Sequence, residues 1–286
     1  MRKTALLFIM LTTMSSLYAF EVDSSAMVTN LYWAPSRNAD TPGETFNGQD
    51  YFWNWNESFK AALGKELEVR TGWLTDPILR HQLFVDFMGH YNNLSFSVGP
   101  VLGTFNTQQT WFSPGIRTEF QYTLPGVLFF RTHLETSFPP LLAPGDTYSG
   151  ELKGSLGFYL ENGIVTLEAE NKTFVENKSN TNVKDNLTKY LMDTEIFVKN
   201  FPMRLAIDLG YQSLSRIYYP VNTSVSTQVE TALFGGKITW DINSKSSIYV
   251  KEENSLFSFG QQSTVYSVPD YGLLFSLEAG YRWKSN

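Results

Sequence analysis

Along most of this chain apolar and charged side chains alternate with period two, and the charges keep to one phase. Successive Cβ atoms of a strand point to opposite sides of a sheet, so such a segment has one greasy face and one ionic face. In Glu66–Leu74 the residues Leu67, Val69, Thr71 and Trp73 oppose Glu66, Glu68 and Arg70. Asp86 and His90 oppose Leu83, Val85 and Phe87, and Arg117 and Glu119 oppose Ile116, Thr118 and Phe120. Arg131, His133 and Glu135 face away from Phe130 and Leu134, as Glu151 and Lys153 do from Leu152 and Leu156. Glu168, Glu170 and Lys172 oppose Leu167 and Ala169; Asp193 and Glu195 oppose Met192 and Ile196; Arg204 and Asp208 oppose Leu205, Ile207 and Leu209. The last segment sets Glu278 and Arg282 against Leu273, Phe275, Leu277, Ala279, Tyr281 and Trp283. No charge falls on the apolar face of these segments, and strands are predicted for all of them. Two stretches are less regular. The phase slips at Gly235-Gly236, where a bulge is expected, and Glu252 lies in phase with Ile248 and Val250.

Alternation fits a soluble sandwich as well as a barrel, because both bury one face of each strand. The connections separate them. Short gaps at Asn92-Asn93, Leu124–Gly126, Glu161–Gly163, Asn200–Pro202 and Asn243–Lys245 alternate with longer ones at Thr75–Leu79, Asn106–Trp111, Ser137–Thr147, Val175–Thr188, Ser213–Ser226 and Asn254–Asp270. Transmembrane barrels have short periplasmic turns and longer external loops, whereas Greek-key connections keep no such time. The expected fold is an all-β, antiparallel up-and-down transmembrane barrel with both termini periplasmic. Ala26–Trp33 and Tyr51–Phe59 form a further hairpin, which gives fourteen strands. If that hairpin is instead an internal plug, twelve remain.

Composition agrees. Aromatics reach 15 %, with 22 Phe and 15 Tyr, while charged residues are only 17 %. Trp73, Tyr91, Tyr122, Tyr190, Tyr211, Tyr281 and Trp283 sit near strand ends, where amphipathic rings favour the headgroup level. Arg2 and Lys3, the apolar run Thr4–Met14 and the small residues up to Ala19 read as a signal peptide, residues 1–19, too short to span a bilayer as a helix. Residues 20–286 then form one barrel domain. The absence of Cys rules out disulfides and thiolate metal sites, and a net charge of −6 with no basic block argues against nucleic acid as a partner.

The aromatic-closing strand Leu273–Trp283 resembles the last strand of bacterial outer-membrane β-barrel proteins as a class, although Lys284-Ser285-Asn286 follow it. In length and strand number the chain is also similar to monomeric porins and nucleoside channels. The resemblance implies residence in the outer-membrane bilayer and recognition by the barrel-assembly machinery through Leu273, Tyr281 and Trp283.

No motif announces catalysis or a cofactor. An outer-membrane phospholipase would need Ser, His and Asn together on the lipid-facing side, and none of the three histidines has such a partner. His133 and Glu135 could hold a metal, but an interior hydrogen-bond network is the better reading. The chain is therefore expected to be neither an enzyme nor a metalloprotein. The functional information lies in the ionic face. Turned inward, it lines a lumen with Glu66, Glu68, Arg70, Asp86, Arg117, Glu119, Arg131, His133, Glu135, Glu151, Lys153, Glu168, Glu170, Lys172, Asp193, Glu195, Arg204, Asp208, Glu278 and Arg282. Interior width grows with strand number, so a passive pore for small polar solutes is the leading expectation. A non-conducting structural or adhesin-type barrel would instead act through the loops Val175–Thr188 and Asn254–Asp270. A soluble periplasmic sandwich is a third reading.

Overall fold

The computed structural model describes residues 19–29, 52–76, 80–104, 112–137, 147–178, 181–197, 201–220, 225–263 and 275–285. These residues form fourteen strands and, among themselves, no helix. In chain order they are β1 (Phe20–Thr29), β2 (Phe52–Ala62), β3 (Leu67–Asp76), β4 (Arg80–Tyr91), β5 (Leu94–Thr104), β6 (Phe112–Leu124) and β7 (Leu128–Ser137). There follow β8 (Thr147–Leu160), β9 (Gly163–Lys178), β10 (Thr181–Phe197), β11 (Met203–Pro220), β12 (Val225–Asp241), β13 (Ser246–Ser263) and β14 (Phe275–Lys284). Each strand pairs antiparallel with its neighbours in sequence, and β1 closes the sheet on β14, with Ala26 opposite Ala279. Closure leaves no strand edge exposed. It rules out the sandwich reading and settles the count at fourteen, with the N-terminal hairpin in the wall.

Burial is inverted relative to a soluble protein. Leu83, Phe87, Phe96, Leu134, Leu152, Leu167, Ile207 and Ile238 are exposed on the outside, while Asp86, Glu135 and Asp208 are 0 %, 3 % and 1 % exposed inside. An apolar outer face of this extent needs hydrocarbon around it, and a closed barrel satisfies every backbone group the bilayer cannot. Rings mark both borders of the band. Tyr91, Tyr122, Trp240 and Tyr281 lie near the short-turn ends, and Trp53, Trp55 and Tyr190 lie farther along, where Tyr190 stacks on Tyr211 at 6.4 Å. The tight turn between β4 and β5 is made by Asn92 at φ 51°, a left-handed conformation that asparagine tolerates.

Several expectations are corrected by the geometry. The first strand is Phe20–Thr29 rather than Ala26–Trp33, because its register with β14 and β2 runs from Glu21 onward. Glu66 is exposed in the turn between β2 and β3 and does not face the lumen. The segment expected as a loop at Val175–Thr188 is mostly hairpin, with Phe174 paired to Asp185 and Asn177 to Asn182, and β13 continues to Ser263 through the first part of Asn254–Asp270. Residues 264–274, with Leu273, and the segment 1–18 lie outside the described residues. The bulge expected at Gly235-Gly236 is displaced. Register stays in step there, and the shifts fall between Glu230/Thr231 and Ala232/Leu233 in the pairing with β13.

Below the level of Tyr190 and Tyr211, the outer face also holds two carboxylates among the described residues. Glu252 is exposed in phase with Ile248 and Val250, and Glu57 is exposed in phase with Trp55 and Phe59. The second breaks the charge-free pattern that the apolar faces otherwise keep. A carboxylate facing lipid is destabilising, though less so than a lysine or arginine. Glu252→Leu is therefore expected to stabilise the isolated barrel in vesicles by about 1 kcal/mol, read from its urea midpoint. A lowered midpoint would mean the carboxylate is held by a group of the barrel itself.

Candidate functional site: the charged lumen

Even-numbered residues of β3, β4 and β9 and odd-numbered residues of β6, β7, β8 and β10 point inward, as the pairing register requires. This places Glu68, Arg70, Asp86, Arg117, Glu119, Arg131, His133, Glu135, Glu151, Lys153, Glu168, Glu170, Lys172, Asp193 and Glu195 on the inner wall. Arg204, Asp208, Glu278 and Arg282 share that wall on β11 and β14. Many of these groups sort into four clusters.

The first cluster centres on Asp86. Its Oδ2 accepts from Arg70 Nη2 at 2.8 Å and lies 3.4 Å from Arg117 Nε. Arg70 Nη2 also donates to Glu119 at 3.2 Å, and Arg117 Nη1 lies 3.6 Å from Glu135. Gln82 donates to Glu135, and Arg117 stacks on the Phe84 ring with its guanidinium carbon 4.2 Å from the centroid. Pairing between β4 and β5 is interrupted where Val85 and Asp86 pass Gly99 and Pro100. Proline offers no N–H to the ladder, and a Cβ on Gly99 would collide with the Val85 carbonyl, so the two strands approach closely only because residue 99 is glycine.

The second cluster crosses the barrel. Lys172 Nζ on β9 donates to Asp76 on β3 at 2.7 Å and lies 3.1 Å from Glu170 Oε1. Strands β3 and β9 are six places apart in a ring of fourteen, which makes them nearly opposite. In a round barrel of this strand number and tilt the facing backbones would stand roughly 28 Å apart. Joined end to end, a lysine and an aspartate reach only about 13 Å. The barrel is therefore flattened at this level, and the ion pair bridges its narrow dimension.

A third cluster lies on β10–β13. Lys189 binds both oxygens of Glu253 at 2.6 and 2.7 Å, and Lys251 lies 3.6 Å from Asp208 and 3.8 Å from Glu253. The fourth rings the short-turn end. Arg282 holds Asp23 at 2.8 Å and Glu21 at 3.3 Å, Lys60 lies 3.6 Å from Glu21 and 3.5 Å from Glu68, and His90 Nε2 lies 3.1 Å from Glu68. Together with Arg70, Glu119 and Arg131, these side chains line a cavity of about 570 Å³. His133 and Glu135 are 4.0 Å apart, and among the described residues no group of His, Asp and Glu is arranged to hold a metal.

Sequence reasoning missed half the partners. Asp76 falls in a segment that reads as a loop, Lys189 and Glu253 border segments that read as loops, and Glu21, Asp23 and Lys60 lie outside the bounds Ala26–Trp33 and Tyr51–Phe59 of the expected hairpin. It also missed an apolar inner patch. Leu187, Leu214 and Val229 stand side by side across β10, β11 and β12, all buried, and Leu191 and Leu233 flank Gly210 two rows away, beyond Lys189, Gln212 and Thr231. The wall of β9–β13 runs past the membrane band, and its inner face there mixes buried aliphatic side chains with Lys189, Gln212 and the fully buried Asp185. A continuation of the inward phase from Asp193 through Leu191, Lys189 and Leu187 was the available signal.

No family model matches the chain, and no curated protein does. Solved structures match in fold. An outer membrane channel from Pseudomonas putida F1 is similar over 94 % of this chain and 95 % of its own, with 11 % identity and a TM-score of 0.49. An anion-selective porin from Comamonas acidovorans covers 94 % of this chain and 98 % of its own, with 8 % identity and a TM-score of 0.44. OmpT, an outer membrane protein of Vibrio cholerae, covers 94 % of this chain and 96 % of its own, with 8 % identity and a TM-score of 0.45. The expectation of a chain without enzymatic activity is corrected here and withdrawn. Four of the matches are OmpT structures, at 6–8 % identity, and barrel class is no ground for excluding catalysis. At this distance the likeness is one of fold and carries no activity to this chain. With its closed sheet of fourteen strands and apolar outer face, the chain resembles bacterial outer-membrane β-barrel proteins as a class, crossing a bilayer with every strand.

Proposed function

We propose that this barrel is a passive pore for small hydrophilic solutes, narrowed at the long-loop end of β3 by the Lys172–Asp76 bridge. The observation that carries the reading is an inner face ionic from the cavity of about 570 Å³ at the short-turn end up to that bridge. A wall of paired charges favours water and polar solutes over apolar ones, and mixed signs leave selectivity weak. Residues 1–19 act as a cleaved export signal, the short turns and both termini face the periplasm, and the last strand, with Tyr281 and Trp283, is read by the assembly machinery. The clusters around Asp86 and Asp208 hold the wall in shape, while Lys172, Asp76 and Glu170 meet the permeating solute.

Swelling of vesicles that contain the refolded barrel tests this reading. Neutral sugars of increasing size should enter at falling rates, with a sharp cut-off between small and large. Vesicles that exclude even the smallest sugar would favour the non-conducting reading. The apolar inner patch at Leu187, Leu214 and Val229 is the observation on that side, since a lumen closed by packed aliphatic side chains conducts nothing.

A further inference from the structure

We infer that the cavity at the short-turn end of the lumen is a binding site for small hydroxylated solutes that carry a carboxylate, and that the Arg131 guanidinium takes the carboxylate. The role of the site in passage rests on the pore reading, whereas binding itself needs only the cavity.

Arg131 is held in place by neutral groups. Its cross-strand neighbours are Gln121 on β6 and Ser155 on β8. Arg131 Nε donates to Gln121 Oε1 at 3.0 Å, and Gln121 Nε2 donates in turn to Thr123 Oγ1 at 2.9 Å, which fixes the amide end that faces the arginine. The guanidinium carbon lies 5.9 Å from the centroid of Phe129, whose ring covers Gly157, where a Cβ would collide with it. These contacts use Nε and one face of the fork. Among the described residues no acceptor meets Nη1 or Nη2.

The acids nearby are already taken. Glu119 Oε2 accepts from Arg70 Nη2 at 3.2 Å, and its Oε1 stays 3.9 Å from Arg131 Nε, beyond hydrogen-bond reach. Glu168, opposite Ser155, is held by Lys153 at 2.7 Å. Elsewhere in the cavity Arg282 holds Asp23 and Glu21, and Lys60 lies between Glu21 and Glu68. The formal charges that line the cavity balance, four acids against four bases. The sign of a ligand is therefore set by unused hydrogen-bonding capacity. Arg70 and Arg282 each spend Nη2 on a carboxylate, while Arg131 keeps both terminal nitrogens open. Its side chain is 47 % exposed, against 21 % for Arg70 and 11 % for Arg117.

The ligand class follows from that fork. Two parallel N–H groups match the two oxygens of a carboxylate, and bidentate pairs of this kind are the strong charge-assisted hydrogen bonds. One guanidinium with Glu119 close by balances a single negative charge better than the nearly two charges of a phosphate monoester. Ser95, opposite Gln121 on β5, and Asn93, in the turn between β4 and β5, line the same cavity and offer a hydroxyl and an amide to the uncharged part of the solute. A sugar acid has both features.

Isothermal titration calorimetry of the refolded barrel in detergent micelles, with D-glucuronate and with D-glucose, provides the test. The two sugars differ at C6 alone, a carboxylate against a hydroxymethyl group. Glucuronate should bind about tenfold more tightly, the worth of one charge-assisted pair. Arg131→Gln, shown by gel mobility to be folded, should abolish that preference. If this variant does not fold, Arg131→Lys, which keeps the charge and loses the fork, should lower the preference about threefold. Equal binding of the two sugars, or a preference that the folded variant leaves intact, would overturn the inference even for a barrel that conducts. A preference for glucuronate that depends on Arg131, in a barrel that admits neither sugar to vesicles, would uphold the site and remove the pore reading alone.

Discussion

Replacing Lys172 and Asp76 together by alanine is expected to raise the single-channel conductance about threefold, because the bridge they form crosses the lumen. The two groups meet at 2.7 Å across the flattened dimension of the barrel, so removing both side chains opens the gap they close. The double change is preferable to either single one. Lys172→Ala alone would leave Asp76 and Glu170 facing each other without the cation they share, and the wall would suffer as well as the gap. In the double variant Glu170 keeps Lys153 as its direct cross-strand partner. Unchanged conductance would mean that the resistance lies higher, at the apolar patch of Leu187, Leu214 and Val229.

The second large effect is on stability. Asp86 is 0 % exposed and is held by Arg70 at 2.8 Å and Arg117 at 3.4 Å. Its Oδ1 accepts no hydrogen bond, so the carboxylate depends on the two guanidinium groups that share Oδ2. Arg70→Met removes the closer one and leaves a buried charge half compensated. Breaking a buried pair from one side costs about 3–5 kcal/mol, and the urea midpoint of the refolded barrel should fall accordingly. Arg70→Met/Asp86→Asn removes the stranded charge and should recover most of the loss. If the double variant is no more stable than the single, Arg70 contributes through its packing on Phe84, whose centroid lies 5.7 Å from it, rather than through charge.

The fold was legible because its strongest determinant is local. Period-two alternation names the strands one by one, and the rhythm of short and long gaps then names the closure. What the sequence hid is equally specific. Glu66 continues the charged phase of Glu68 and Arg70, yet the chain turns before reaching it, since alternation does not mark where pairing stops. Val175–Thr188 reads as a loop because its composition is polar, but a hairpin above the membrane needs no greasy outer face, so polarity there does not argue against strands. The bulges on β13 fall opposite Glu230–Leu233 of β12, and the pairing of Gly235 and Gly236 stays in step. In the lumen, alternation gave the inward side of nearly every charged residue but not which charges meet. Lys172 and Asp76 lie 96 positions apart, and only the flattened cross-section brings them together. The lipid-facing Glu57 was visible in phase with Trp55, in a segment whose other outward residues are aromatic.

Single-channel recording of the refolded chain in a planar bilayer is the most direct test of the central claim, that a charged lumen crosses the membrane as a pore. Discrete, repeatable conductance steps with weak ion selectivity are the predicted result. A barrel that inserts fully folded and never conducts, even with Lys172 and Asp76 replaced by alanine, would contradict it.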